Sequence, residues 1–101
     1  IRAHKIADEA TGEVFVKRVE VKGRLRGQPV RLTTNEWYKA AQLAETYWLY
    51  VVWDPLGDSP ELVRIHNPVA KLDHAKREIV AARFYEIPAD AVQHAASKNM
   101  G

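Results

Sequence analysis

VEVKGR, Val19 to Arg24, sets a carboxylate and an ammonium one residue apart in a β-branched run. Successive side chains on a strand alternate between faces. Glu20 and Lys22 therefore share one face, and Phe15, Val19 and Val21 share the other. The apolar set is expected to pack on the core, beneath a following helix, and the charged pair to lie exposed. Such a pair is the minimum equipment for holding a divalent cation on Glu20 with a water or phosphate beside Lys22, as metal-assisted phosphodiester cleavage requires. A bare Glu-x-Lys is more often a same-face salt bridge on an ordinary half-exposed strand.

Upstream, Ile1 to Ile6 and Val14 to Lys22 flank Asp8-Glu9-Ala10-Thr11-Gly12-Glu13 and read as strand, turn, strand. Downstream, Gly23 to Pro29 reads as a loop that stops the strand and leaves its backbone open to a ligand. Lys17, Arg18, Lys22, Arg24, Arg26 and Arg31 fall in this region, with Glu20 the only acid between Lys17 and Arg31. Clustered Lys and Arg supply sequence-independent affinity for nucleic-acid phosphates, so Lys17, Arg18, Arg24, Arg26 and Arg31 are nucleic-acid-binding candidates. A solvated basic loop is the plainer reading.

A helix start follows, with Thr33 as N-cap, Glu36 as its capping-box partner, and Leu32 and Trp37 spaced as a hydrophobic staple. The helix is expected to reach about Tyr47, burying a narrow stripe of Trp37, Ala40, Ala41 and Ala44. Trp48 to Trp53 has no polar alternation and reads as the central strand, covered on both faces. Asp54 to Pro60 is a turn, and Glu61 to His66 a strand that pairs back and ends at Asn67-Pro68. Val69 to Val80 reads as loop with some helix, Arg83 to Ile87 as a last strand, and Pro88 opens a helix through about Ser97. Lys98 to Gly101 is expected to fray.

The chain of 101 residues reads as one domain, 1–101. No apolar run approaches the roughly 18 to 20 residues of a membrane span, and the first residues form no apolar signal segment. With no cysteine, a disulfide framework and thiolate chemistry are excluded, and a cytoplasmic location is the default expectation. His4, His66, His74 and His94 show no metal-ligand spacing on one helix. Gly23 to Gly27 lacks the lysine and hydroxyl of a phosphate-binding loop, and neither Ser59 nor Ser97 sits at a nucleophile elbow. The tyrosines read as packing residues.

Taken in order, VEVKGR, LTTNEW, YWLYVVWD, PELVRIHNP and FYEIP resemble the NO VEIN C-terminal domain family. That family is of unknown function and in bacteria is often attached to helicases and to restriction or phage-defence proteins. Its fold is similar to the restriction-endonuclease-like, PD-(D/E)xK nucleases. The resemblance implies an α/β fold with a single mixed β-sheet and flanking helices. It also implies Mg²⁺ as cofactor, nucleic acid, DNA foremost, and neighbouring domains such as a helicase as partners, and no membrane. Carried over by position, Glu20 is the metal ligand, the backbone carbonyl of Val21 a further ligand, and Lys22 the catalytic lysine. The following helix is expected to send Asn35, Glu36 or Lys39 toward the site, with Glu36 carried as the third catalytic candidate. The superfamily's motif Asp stands at the head of the first strand, and this chain begins at about the residue that would follow it. Asp8 falls at the far end of the hairpin. The expectation is therefore a fragment of a larger protein that holds Mg²⁺ weakly and is inactive alone. The alternative is a catalytically silent module that binds nucleic acid or partner domains.

Overall fold

The computed structural model describes residues 2–7, 14–79 and 84–97, the side chains of 2–15 excepted. Strands β1 (Arg2–Ala7) and β2 (Val14–Arg24) form the expected antiparallel hairpin, with Arg2 opposite Val19 and Ala7 opposite Val14. Its turn, Asp8 to Glu13, lies outside the described residues, as do the last residues from Lys98. Strand β2 continues through Gly23 instead of stopping there. A Cβ at Gly23 would meet Pro55 Cγ at 3.2 Å, so glycine lets the strand pass close to a neighbouring loop.

Strand β3 (Val30–Thr33) leads directly into helix α1 (Thr34–Leu43). The capping box is present as read: Glu36 N–H donates to Thr33 Oγ1 at 3.1 Å, and Thr33 N–H donates to Glu36 Oε1 at 2.8 Å. The helix ends earlier than expected. Ala44 takes φ 46, a 3-10 turn occupies Ala44–Thr46, and Tyr47 already opens strand β4 (Tyr47–Trp53). Of the four stripe residues only Trp37 and Ala40 are buried. Strand β4 runs parallel to β2 and antiparallel to β5 (Glu61–His66), giving a mixed sheet in the order β1-β2-β4-β5.

Helix α2 (Pro68–Leu72), a 3-10 turn (Asp73–Ala75) and strand β6 (Arg77–Ile79) resolve the segment read as loop with some helix. Strand β7 (Phe84–Ile87) and helix α3 (Ala89–His94) complete the described chain, α3 being shorter than expected.

The α/β class holds, but the single sheet does not. Strands β3, β7 and β6 form a separate antiparallel sheet in the order β3-β7-β6. The missed strands are β6 and β3; in β3 Val30 and Leu32 are fully buried and Arg31 and Thr33 exposed, an alternation too short to stand out in sequence. The core lies between the sheets: Leu49, Val51 and Ile65 meet Leu32, Ile87 and the helix residues Trp37, Leu72 and Val92. Strand β4 is not covered on both faces. Tyr47, Leu49, Val51 and Trp53 are buried, whereas Trp48, Tyr50 and Val52 are half-buried on the outer side.

Candidate functional site

On β2, Arg18, Glu20, Lys22 and Arg24 stand in register beside Tyr47, Leu49, Val51 and Trp53 of β4. Those four β4 residues are fully or almost fully buried. The sheet face beneath α1 thus changes from apolar to charged in passing from β4 to β2. Glu20 and Lys22 do share a face, but it is the α1 side and not an exposed one: Glu20 is 9% exposed while Val21 is 51% exposed on the other side. Alternation dictates which residues share a face, not which face meets the helix. Val19, on the face of Val21, is buried beside Trp48 and not under α1.

Charges tolerate this partly covered position because they pair. Lys22 Nζ donates to Glu36 Oε1 at 2.9 Å and Oε2 at 3.0 Å, and lies 3.6 Å from Glu20 Oε2. Burial by itself pushes the Glu36 carboxyl up, but the Thr33 N–H, the Lys22 ammonium and a hydrogen bond with Glu20 outweigh it and hold it below its ordinary value. The capping box therefore does two jobs, starting α1 and aiming Glu36 at β2. Glu20, Asn35, Glu36, Lys39 and Tyr47 line a cavity of about 290 Å³. Tyr47 is fully buried, and its hydroxyl has no hydrogen-bond partner among the described residues. Burial first, then the Glu20 and Glu36 charges, push its pKa up, so it stays a protonated donor.

The family described as Protein NO VEIN, C-terminal, matches residues 1–65. This chain belongs to that family. The match takes in β1 to β4, α1 and nearly all of β5, and with them Glu20, Lys22 and Glu36. Helices α2 and α3 and strands β6 and β7 of this NO VEIN C-terminal domain lie beyond it. Neither a curated protein nor a solved structure was found to match the chain.

The structure of the NO VEIN C-terminal domain brings Glu20, Lys22 and Glu36 together and scatters the basic candidates. Lys17 is 6% exposed on the opposite face of β2, donating to Tyr50 Oη at 2.6 Å. Arg18 and Arg24 share the face of Glu20, and Arg24 Nε donates to the Pro29 carbonyl at 2.9 Å. Arg26 is ion-paired with Asp54 at 3.5 Å and with Glu61. Arg31 lies 3.8 Å from Glu86 and over the Phe84 ring. Val21 sits beyond the last β1 pairing, since Arg2 opposite Val19 is the final one described. Asp8 lies outside the described residues; Ala7 before it pairs with Val14, at the far end of the hairpin from Glu20.

Tyr47 is the site residue that sequence reading missed. It had been assigned to the helix end as packing, and only its parallel register with Arg18, two residues from Glu20 on the same face, brings it to the cavity. Among the described residues no cluster of three or more His, Asp or Glu side chains is built to hold a metal, and no helix is long and apolar enough to cross a membrane.

Proposed function

We propose that the cleft of Glu20, Lys22 and Glu36 is the reaction site of a metal-dependent nuclease domain, akin to the PD-(D/E)xK nucleases, in a DNA-transacting or defence-associated protein. One observation carries the reading: two carboxylates from separate elements, a strand and a helix N-terminus, converge on one lysine in an open cleft. Two carboxylates meet only the minimum that Mg²⁺ asks of a protein, since this hard cation takes one or two carboxylates and keeps several waters. When bound it would supply positive charge for the phosphate and acidify a coordinated water. Glu20 and Glu36, with the Val21 carbonyl, would hold it. Lys22 would keep its proton at Nζ and, released from Glu36, orient the attacking water and steady the phosphate. Arg18 and Arg24 on the same strand face, and exposed Arg31, are the phosphate contacts this reading retains.

A second reading is the silent module that binds nucleic acid or partner domains. In its favour, Glu36 is already occupied by the Thr33 N–H and the Lys22 ammonium. The discriminating experiment is cleavage of single- and double-stranded DNA and RNA by the full-length natural protein with Mg²⁺ or Mn²⁺. Glu20→Gln and Lys22→Ala are each expected to lower the rate about a hundred-fold or more without unfolding the protein in a thermal melt. Nucleic-acid binding without metal-dependent cleavage on any substrate decides for the silent module.

A further inference from the structure

Strands β2 and β4 run parallel, and both send their carboxyl ends to the same edge of the mixed sheet. Open α/β sheets bind ligands just beyond such ends. Here residues 23–26 and 54–59 border a cavity of about 740 Å³, the size of an ordinary ligand site. Its walls are tied in place. Asp54 N–H donates to the Arg24 carbonyl at 2.8 Å, carrying the ladder one step past β4, and Asp54 Oδ1 accepts from Arg26 N–H at 2.8 Å. With Asp54 at φ 51, its carbonyl accepts from Gly57 N–H at 2.9 Å and closes the turn.

Arg24 and Arg26 both line this cavity but differ in what they meet. Arg26 is ion-paired with Asp54 and Glu61. Arg24 is half-buried with its Nε fixed on the Pro29 carbonyl at 2.9 Å, and its guanidinium has no carboxylate partner among the described residues. The two terminal nitrogens are left as a fork of donors, the geometry that takes a phosphate or carboxylate bidentately. Leu25, 69% exposed, and Leu56, fully exposed, offer apolar surface at the same cavity, while Asp58 and Ser59 offer acceptors for N–H groups. The cavity therefore suits a ligand with one anionic end, an apolar body and N–H donors away from the anion. A bare phosphate would leave both leucines in water, and a ligand anionic at both ends would meet Asp58.

Arg24 also stands two residues beyond Lys22 on the same strand face, about 7 Å along β2. We infer that this cavity is a nucleotide subsite: Arg24 takes the phosphate, and the base lies against Leu25 and Leu56 with its N–H edge toward Asp58 and Ser59. The choice of a nucleotide rests on the nucleic-acid reading above; the cavity and its arginine do not.

The test is titration of the chain with 2′-deoxyadenosine 5′-monophosphate, followed by amide chemical shifts, with thermal unfolding as the folding control. Shifts are expected to concentrate in residues 23–26 and 54–59. Arg24→Gln is expected to weaken binding about ten-fold, as loss of a charge-assisted pair does, and Leu56→Ser about three-fold through lost apolar contact. Deoxyadenosine and inorganic phosphate should each bind about ten-fold more weakly than the nucleotide. Leu56 lies wholly in solvent, so its replacement leaves the fold intact and decides the matter if Arg24→Gln melts early. Unchanged binding in either folded variant, or shifts lying elsewhere, overturns the inference. Inorganic phosphate binding as tightly as the nucleotide overturns it in favour of a bare anion site, and N-acetylleucine binding more tightly overturns it in favour of a peptide carboxylate. Shifts confined to Glu20, Lys22 and Glu36 remove the subsite and leave the cleft. Nucleotide binding here with no cleavage by the full-length natural protein keeps the subsite and removes the nuclease reading.

Discussion

Lys17 and Lys22 leave the same strand on opposite faces and meet opposite kinds of partner. Lys17 is nearly buried, its Nζ 4.4 Å from the Trp48 ring centroid, 5.1 Å from that of Tyr50, and hydrogen-bonded to the Tyr50 hydroxyl. Lys22 is 24% exposed and meets Glu36 and Glu20. Neutral aromatic faces attract a desolvated ammonium by up to about 2 kcal/mol and have nothing to exchange. Carboxylates bind the ammonium but remain ligands that a metal or phosphate-bound cation can compete for. The outer face of the mixed sheet therefore uses a lysine to close its surface, with His66 stacked on Trp48 at 4.6 Å and Arg64 over Tyr50 extending the same arrangement. The inner face uses one to hold two acids in a cleft.

The largest stability effect is expected at Lys17. Lys17→Ala strips the ammonium from Tyr50 and opens the side of Trp48, and is expected to cost about 2–3 kcal/mol in urea unfolding. Lys17→Met, which keeps the stem, should recover about half of that. If Lys17→Ala costs less than Lys22→Ala, the contrast between the faces fails.

A smaller effect, with a pH signature, is expected at Lys22. Lys22→Met leaves Glu20 and Glu36 facing each other and should cost about 1 kcal/mol near neutral pH. Because Glu36 titrates below its ordinary value of 4.5 in the fold, its contribution is present above that value and is lost as pH falls through the lowered one. The stability gap between parent and Lys22→Met should therefore shrink as melts are run at progressively lower pH beneath 4.5. A gap that stays constant with pH would show that Lys22 does not act through Glu36.

Arg26 supplies the most exposed case, a cation paired at the surface with both partners about half exposed. The Glu61 carboxylate raises its pKa, and Arg26 in turn lowers that of Glu61. Arg26→Ala should shift the melting temperature least of the three, and the shift should vanish at salt of about 1 M, where screening is nearly complete. A salt-independent loss would place Arg26 with Lys17 and not beyond Lys22.

Several elements were legible because their causes are local. The capping box at Thr33 and Glu36 needs only three-residue spacing. The β1–β2 hairpin follows from two strand-like segments flanking the glycine-bearing stretch Asp8 to Glu13, and β4 and β5 pair across a turn rich in proline and glycine. That Glu20 and Lys22 share a face followed from alternation alone; the family resemblance left Asn35, Glu36 and Lys39 open, and the fold brings Glu36 to Lys22. The end of α1 was not legible, because Ala44 adopts a positive φ that alanine does not advertise.

Residue order thus dictated the hairpins, the helix start and the grouping of Glu20 with Lys22, all set by neighbours within a few positions. Tertiary packing decided the rest. Which side of β2 meets α1 depends on the free energy of covering Leu49, Val51 and Trp53, which draws the helix over β4 and takes the charged side of β2 with it. Strand β3 joins the second sheet through a partner, β7, from a distant part of the chain, and the parallel pairing of β4 with β2 brings Tyr47 to the Glu20 face. These are pairings between distant segments, and a local pattern carries no record of them.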